Sequence, residues 1–214
     1  ENMEVFPFIL LFVFGLAFGS FYNVVVYRLP RHLSLVKPSS NCPHCAHELE
    51  PLELVPVFSF LWQKGRCKSC KKPISWRYPV VALGTAFGFV LVGWQSASLP
   101  ELMVGLIFFS FLLVLALIDL EHKLLPNVLT VPGTALGLLF SLFGWTIPFT
   151  ISLLGALAGF VLMLLIALIS RGGMGMGDVK LMAMIGAFLG WKAVFYVLFG
   201  ASLLGSIGGI LYLH

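Results

Sequence analysis

The sequence predicts an all-α polytopic membrane protein of about seven transmembrane helices, with one small polar insertion between helices 1 and 2. Three observations predict it. First, of 214 residues 59% are hydrophobic and only 10% are charged, where a soluble domain carries about 25% charged residues. Second, residues 5–27, 78–100, 102–118, 124–170 and 193–214 contain no Asp, Glu, Lys or Arg, and a bilayer-spanning helix needs about 20 apolar residues. Third, nine of the 13 Lys and Arg residues fall between Arg28 and Arg77, together with all four cysteines. The mean hydropathy of +1.01 excludes a disordered chain, a collagen-like chain and an ordinary soluble enzyme.

The elements follow in order. The first helix is expected over about 5–27. Its apolar run is too long for a signal peptide, it lacks a basic leading region, and Glu1 and Glu4 precede it, so a true transmembrane helix is predicted. After the polar insertion, helices are expected at about 79–97 and 101–118. The charge-free run 124–170 is too long for one span and breaks at Gly144-Trp145-Thr146-Ile147-Pro148, which predicts helices at 126–144 and 148–169. A sixth, at 177–190, carries Asp178 and Lys180 at its start. A seventh covers 193–213.

Orientation follows from the basic residues, which stay on the cytoplasmic side. With the 28–77 loop in the cytoplasm, the amino terminus is outside, and of the 13 basic residues only Lys192 falls outside, with Lys180 at the boundary. The net charge of +4 therefore reports sidedness. Basic residues in this loop are expected to meet anionic lipid head groups, and no nucleic-acid partner is expected.

The insertion contains Cys42-Pro43-His44-Cys45, then 21 residues, then Cys67-Lys68-Ser69-Cys70. Two CxxC pairs, at a separation slightly above the usual template, read as a four-thiolate zinc site. A reducing cytoplasm argues against disulfides. The insertion is accordingly expected to be zinc-ribbon-like, with Cys42, Cys45, Cys67 and Cys70 holding a structural Zn2+. Four thiolates leave no open position for water, and the metal would stabilise a loop with little core of its own. His44 and His47 are expected at its surface. Glu48, Glu50 and Glu53 form either an attractive face for a basic partner or a solvated one.

The chain has only two aspartates, Asp119 and Asp178. Asp119 closes the apolar run 111–118 and precedes Leu120-Glu121-His122-Lys123. Asp178 follows a glycine-rich stretch from Gly172 to Gly177. An ionisable residue in a transmembrane segment is a functional candidate, and counting spans puts both on the cytoplasmic face. Two nearby carboxylates share a proton, so one can act as base and the other as acid on a water attacking a peptide bond. The other reading is structural: helix-end aspartates paired with Lys123, Arg171 or Lys180. Glu121 competes as an acid, and the pair titrates as a unit, so neither aspartate is assigned as the base. The glycine-rich stretch is not preceded by a strand-and-helix unit, so a nucleotide site is not indicated.

At these residues the chain resembles the bacterial type IV prepilin peptidases, membrane aspartic proteases of the GxGD type. Gly15-Leu-Ala-Phe-Gly-Ser-Phe-Tyr-Asn-Val-Val-Val-Tyr-Arg-Leu-Pro30 is similar to the family's first-helix signature. The paired CxxC loop resembles its zinc-binding domain. The stretch from Asp119 to Asn127 is similar to the first catalytic motif, and Gly175-Met-Gly-Asp-Val-Lys180 to the second. The resemblance implies a peptidase that removes the basic leader of type IV prepilins, or of the pseudopilins of type II secretion, in the bacterial inner membrane. It also implies methylation of the new amino terminus by S-adenosylmethionine, for which no site is legible. It makes Asp119 and Asp178 catalytic, with Gly175, Gly177 and Lys180 supporting the motif. Position 121 is Glu where many relatives have Asp, which favours Asp119 over its neighbour. Relatives usually continue to a further helix, which implies eight in an intact chain. The expected domains are the first helix (1–27), the zinc loop (28–77) and the peptidase core (78–214). A non-enzymatic zinc-loop scaffold and an ion-coupled transporter are the alternatives.

Overall fold

The computed structural model describes residues 2–37, 39–42, 44–50, 52–170 and 173–213, and the side chains of 6–208 within these. Glu1, Pro43, Arg171 and Gly172, which entered the sequence reading, lie outside the described residues. The described chain is helical, with no strand. It divides into two compact units, Glu1–His122 and Lys123–His214.

The first unit contains α1 (Asn2–Arg28), the cysteine loop with its short helix α2 (Phe58–Trp62), α3 (Arg77–Gln95) and α4 (Leu99–His122). Small residues hold α1 against α3. A Cβ on Gly19 would lie 2.6 Å from the Cα of Ala82, and one on Gly15 would collide with Ala86. Glycine at every fourth position lets two apolar helices approach closely where lipid gives no hydrophobic drive for association. Asn23, buried one turn further, donates through Nδ2 to the carbonyls of Gly19 (3.1 Å) and Tyr78 (3.3 Å). The Gly15–Asn23 part of the first-helix signature is therefore the seam between α1 and α3. Helix α4 joins the unit through the Tyr22 hydroxyl, which donates to Ser110 Oγ at 2.6 Å.

The second unit contains α5 (Asn127–Leu142), α6 (Phe149–Ile169), α7 (Met176–Leu189) and α8 (Trp191–Leu213). Helix α7 is its centre. It packs on α5, α6 and α8, and Val179 and every residue from Met182 to Phe188 are buried. That burial accounts for its 14 residues, too few for about 30 Å of hydrocarbon: a helix apolar all round suits a protein core. The α6–α7 seam is again built from small residues. The carbonyl of Gly186 occupies the space a Cβ on Gly155 would need, and Ser152 Oγ donates to the Ala187 carbonyl at 2.5 Å.

Among the described residues, five helices are long and apolar enough to cross a membrane: α1, α3, α4, α6 and α8. Helix α5 is a shorter apolar helix. Seven membrane-spanning helices were expected; among the described residues helices stand at all seven places, but α5 and α7 are shorter than a span, and α2 is an addition. The third expected helix was to end at Ile118 but runs one turn further, to His122. No glycine or proline interrupts it there, and it stops where Lys123 takes a left-handed conformation (φ 52°), the usual helix C-terminal geometry.

Candidate active site and metal centre

The cysteine loop is built from two copies of one turn, offset by 25 residues in the chain. In the first, the Cys42 N–H donates to the His47 carbonyl (2.9 Å) and the Ala46 N–H to the Cys42 carbonyl (2.9 Å). In the second, Cys67 and Lys71 donate to the carbonyls of Lys72 and Cys67 at 2.9 and 3.0 Å. Ala46 and Lys71 occupy the same left-handed conformation (φ 54° and 58°). The bridges Asn41–Glu48 and Arg66–Pro73 close the two turns. Each turn thus points a pair of cysteines at a common centre.

All four sulfurs lie within 4.8 Å of one another. Cys42 and Cys70 Sγ are 3.8 Å apart, and Cys45 and Cys67 Sγ 3.9 Å. A tetrahedron with Zn–S bonds of about 2.3 Å has edges of about 3.8 Å, whereas a disulfide needs about 2.05 Å. The cysteines are free thiols, arranged so that they could hold a metal ion.

Their electrostatics agree. The His44 backbone N–H, foremost, lowers the Cys42 thiol to about 7. The N–H groups of Cys70 and Ser69 lower Cys67. Cys45, despite the His47 N–H, is pushed up to about 11 by desolvation and the neighbouring sulfurs. Four crowded thiols cannot all ionise alone; a divalent cation at their centre stabilises the thiolate form.

Glu53 ties the first turn to α2, a role the sequence did not reveal. Its carboxylate accepts from the Glu50 N–H (3.0 Å), His47 Nε2 (3.3 Å) and Gln63 Nε2 (3.3 Å). The Glu50 N–H, above all, holds Glu53 below the usual carboxylate range. Glu50 pairs with Lys68 at 3.0 Å, both about half exposed, which adds little stability. His44 is exposed, as expected, but His47 is partly covered and engaged by Glu53. Of the three glutamates, Glu53 faces inward, which removes it from any attractive outer face.

Asp119 lies in the last turn of α4 and is exposed. A carboxylate at the C-terminal, negative end of a helix dipole is unfavourable, so helix capping does not account for it, and no ion pair engages it among the described residues. Glu121, the competing acid, is committed: its carboxylate pairs with Arg77, at the start of α3. That contact distinguishes the surroundings of the two acids.

Asp178 lies in the first turn of α7, where the helix dipole favours a carboxylate. Gly175 is the cap of that helix, and the Asp178 N–H donates to its carbonyl at 3.2 Å. A Cβ on Gly177 would lie 2.8 Å from Leu125 Cβ, so glycine lets the helix start meet the segment before α5. Lys180 Nζ donates to Asn127 Oδ1 at 2.7 Å and so fastens α7 to the first residue of α5. Asp119 belongs to the first unit and Asp178 to the second.

Residues 13–96 match the family model of the Bacterial Peptidase A24 N-terminal domain, and residues 106–210 that of the Type IV leader peptidase family. A prepilin leader peptidase/N-methyltransferase of Bacillus subtilis (strain 168) is 42% identical over 94% of this chain and 81% of its own length. The chain belongs to the type IV leader peptidase family. Relatives with the same name from Klebsiella pneumoniae (41% identical, 91% of each chain) and Aeromonas hydrophila (39%, over 95% of this chain and 80% of that one) are similar throughout. No solved structure gave a significant match.

Proposed function

We propose that this family member is a membrane aspartic endopeptidase that removes the basic leader from type IV prepilins, or from type II secretion pseudopilins, at the cytoplasmic face of the bacterial inner membrane. The observation that carries the reading is the similarity to named prepilin leader peptidases over more than nine-tenths of the chain. The chain's two aspartates supply the chemistry that reading needs. One, ionised, takes a proton from a water whose oxygen attacks the scissile carbonyl. The other donates its proton, and the C–N bond breaks with the proton leaving on the amine of the new pilin terminus. Gly175, Gly177 and Lys180 set the start of α7 that carries Asp178. By role, the first helix (1–27) and the zinc loop (28–77) support a peptidase core (78–214), although α1, the loop, α3 and α4 pack as one compact unit.

The substrate fits the charge pattern. A basic leader stays on the cytoplasmic side while the apolar pilin helix enters the bilayer, so the scissile bond lies at the face to which span counting assigns both aspartates. Helix-end aspartates also suit this reading better than an ion path through the membrane centre. Cys42, Cys45, Cys67 and Cys70 would hold Zn2+, which supplies folding energy to the loop. The names of the relatives extend the reading to N-methylation of the new terminus with S-adenosylmethionine; no described residue is assigned to that donor.

The test incubates membranes containing the chain with a prepilin and reads the products by mass spectrometry. Loss of the leader, leaving a new amino terminus that gains a methyl group only when S-adenosylmethionine is added, is expected. An intact prepilin under conditions where the protein is inserted and folded contradicts it.

A further inference from the structure

We propose that residues 52–62 of the cysteine loop are embedded in the membrane interface and that their partner is the anionic phospholipid surface on the side where Arg28 and Arg77 lie. The inference rests on α1 and α3 spanning the membrane and not on the peptidase reading.

This segment, Leu52-Glu-Leu-Val-Pro-Val-Phe-Ser-Phe-Leu-Trp62, is an apolar run within an otherwise polar loop. Helix α2 turns Phe60 inward, where it is buried and meets the Trp76 ring edge-on at 4.9 Å between centroids. The rest of the ridge faces outward: Leu52 is 80% exposed, Phe58 69%, Leu61 61% and Trp62 91%. So much aromatic and aliphatic surface on one short segment marks an interaction site.

The position of the segment identifies what covers it. Val57, just before α2, packs against the cluster of Leu16, Ala82 and Ala86 on α1 and α3. On α3 the cluster runs from Ala82 to Ala86, five to nine residues from Arg77, or about 7.5 to 13.5 Å at the helical rise. The loop therefore does not stand clear of the membrane helices: it folds back alongside them. Side chains beside Val57 that point away from α1 and α3 meet the zone where lipid head groups join acyl chains.

Three further features suit that zone. Trp and Phe favour it, with a ring on the apolar side and, for Trp, an N–H toward water. The backbone of the segment meets its own needs, as an interfacial position requires: the N–H groups of Ser59 and Leu61 donate to the carbonyls of Val55 and Val57 at 3.2 and 2.9 Å. The groove running from Leu52, Phe58 and Trp62 to the second cysteine turn is edged by Lys64 and Lys71. Neither lysine has a carboxylate partner among the described residues, whereas Lys68 is taken by Glu50. Apolar ridge and cationic rim together match an anionic phospholipid.

The test uses the full chain with Trp76, Trp94, Trp145 and Trp191 replaced by Phe, reconstituted in phosphatidylglycerol–phosphatidylethanolamine vesicles. Trp62 fluorescence is expected to be blue-shifted, quenched more by lipids brominated on shallow than on deep acyl carbons, and protected from aqueous acrylamide. A water-like emission with full acrylamide quenching and no lipid quenching would overturn the proposal. So would protection that arises only when the protein-to-lipid ratio rises or when a prepilin is added, since the occupant would then be a second copy or the substrate. Should the four-Phe chain misfold, Trp62→Phe alone in the native chain serves: it should remove the shallow-quenched component, and unchanged quenching contradicts the proposal.

Discussion

Glu121 and Asp119 sit two positions apart at the end of one helix, and their partners differ. Glu121 is engaged by Arg77; Asp119 is exposed at the unfavourable end of the helix dipole. Glu121→Gln is therefore expected to retain measurable leader cleavage in a membrane assay that reads initial rates. Loss as complete as that of an Asp119 variant would contradict the separation of roles. The two motif glycines also differ. Gly177→Ala places a methyl 2.8 Å from Leu125 Cβ, an overpacking that typically costs about 1–3 kcal/mol. A Cβ on Gly175 meets nothing closer than the Asp178 carboxylate at 3.7 Å. Thermal unfolding in detergent is expected to show the larger loss for Gly177→Ala. The importance of both glycines was legible from the motif, but which is sterically required was not, because Leu125 lies 52 positions away in the chain.

At the scale of elements, the cysteine loop is two like turns whose sulfurs converge on one centre. Metal analysis of protein purified without chelators is expected to find one zinc per chain. Any single Cys→Ser change should lower that content and render the loop protease-sensitive; reduced thiols with no zinc would contradict the site. Glu53→Ala should destabilise the loop by about 1 kcal/mol, since it removes the carboxylate that accepts from the Glu50 N–H, His47 and Gln63. Faster zinc loss under chelator challenge is the measurement. The sequence displayed the two CxxC pairs because their spacing is local. It concealed Glu53, whose partners span positions 47 to 63, and it concealed α2, since five residues are too few for a helical period to register. The end of α4 was misplaced by a turn because the apolar pattern stops at Ile118 while the backbone continues to His122.

For the whole molecule, the helix positions were legible because charge is scarce: four charge-free runs each mark one helix, the run 124–170 holds α5 and α6 either side of the break at 144–148, and only α7, which carries Asp178 and Lys180, falls outside such a run. What the pattern could not reveal is that small residues, not large ones, make the seams: Gly15 and Gly19 against Ala86 and Ala82, and Gly155 against Gly186. Sidedness has its own test. An impermeant amine reagent on intact spheroplasts should modify Lys192 and reach Lys68, Lys71 and Lys72 only after the membrane is opened. The reverse pattern contradicts the orientation. If Asp119 and Asp178 carry out leader cleavage, the cleavage rates of Asp119→Asn and Asp178→Asn, each inserted and folded like the native chain, show it at once. Each variant is expected to leave the prepilin uncut; full cleavage by either one contradicts these roles.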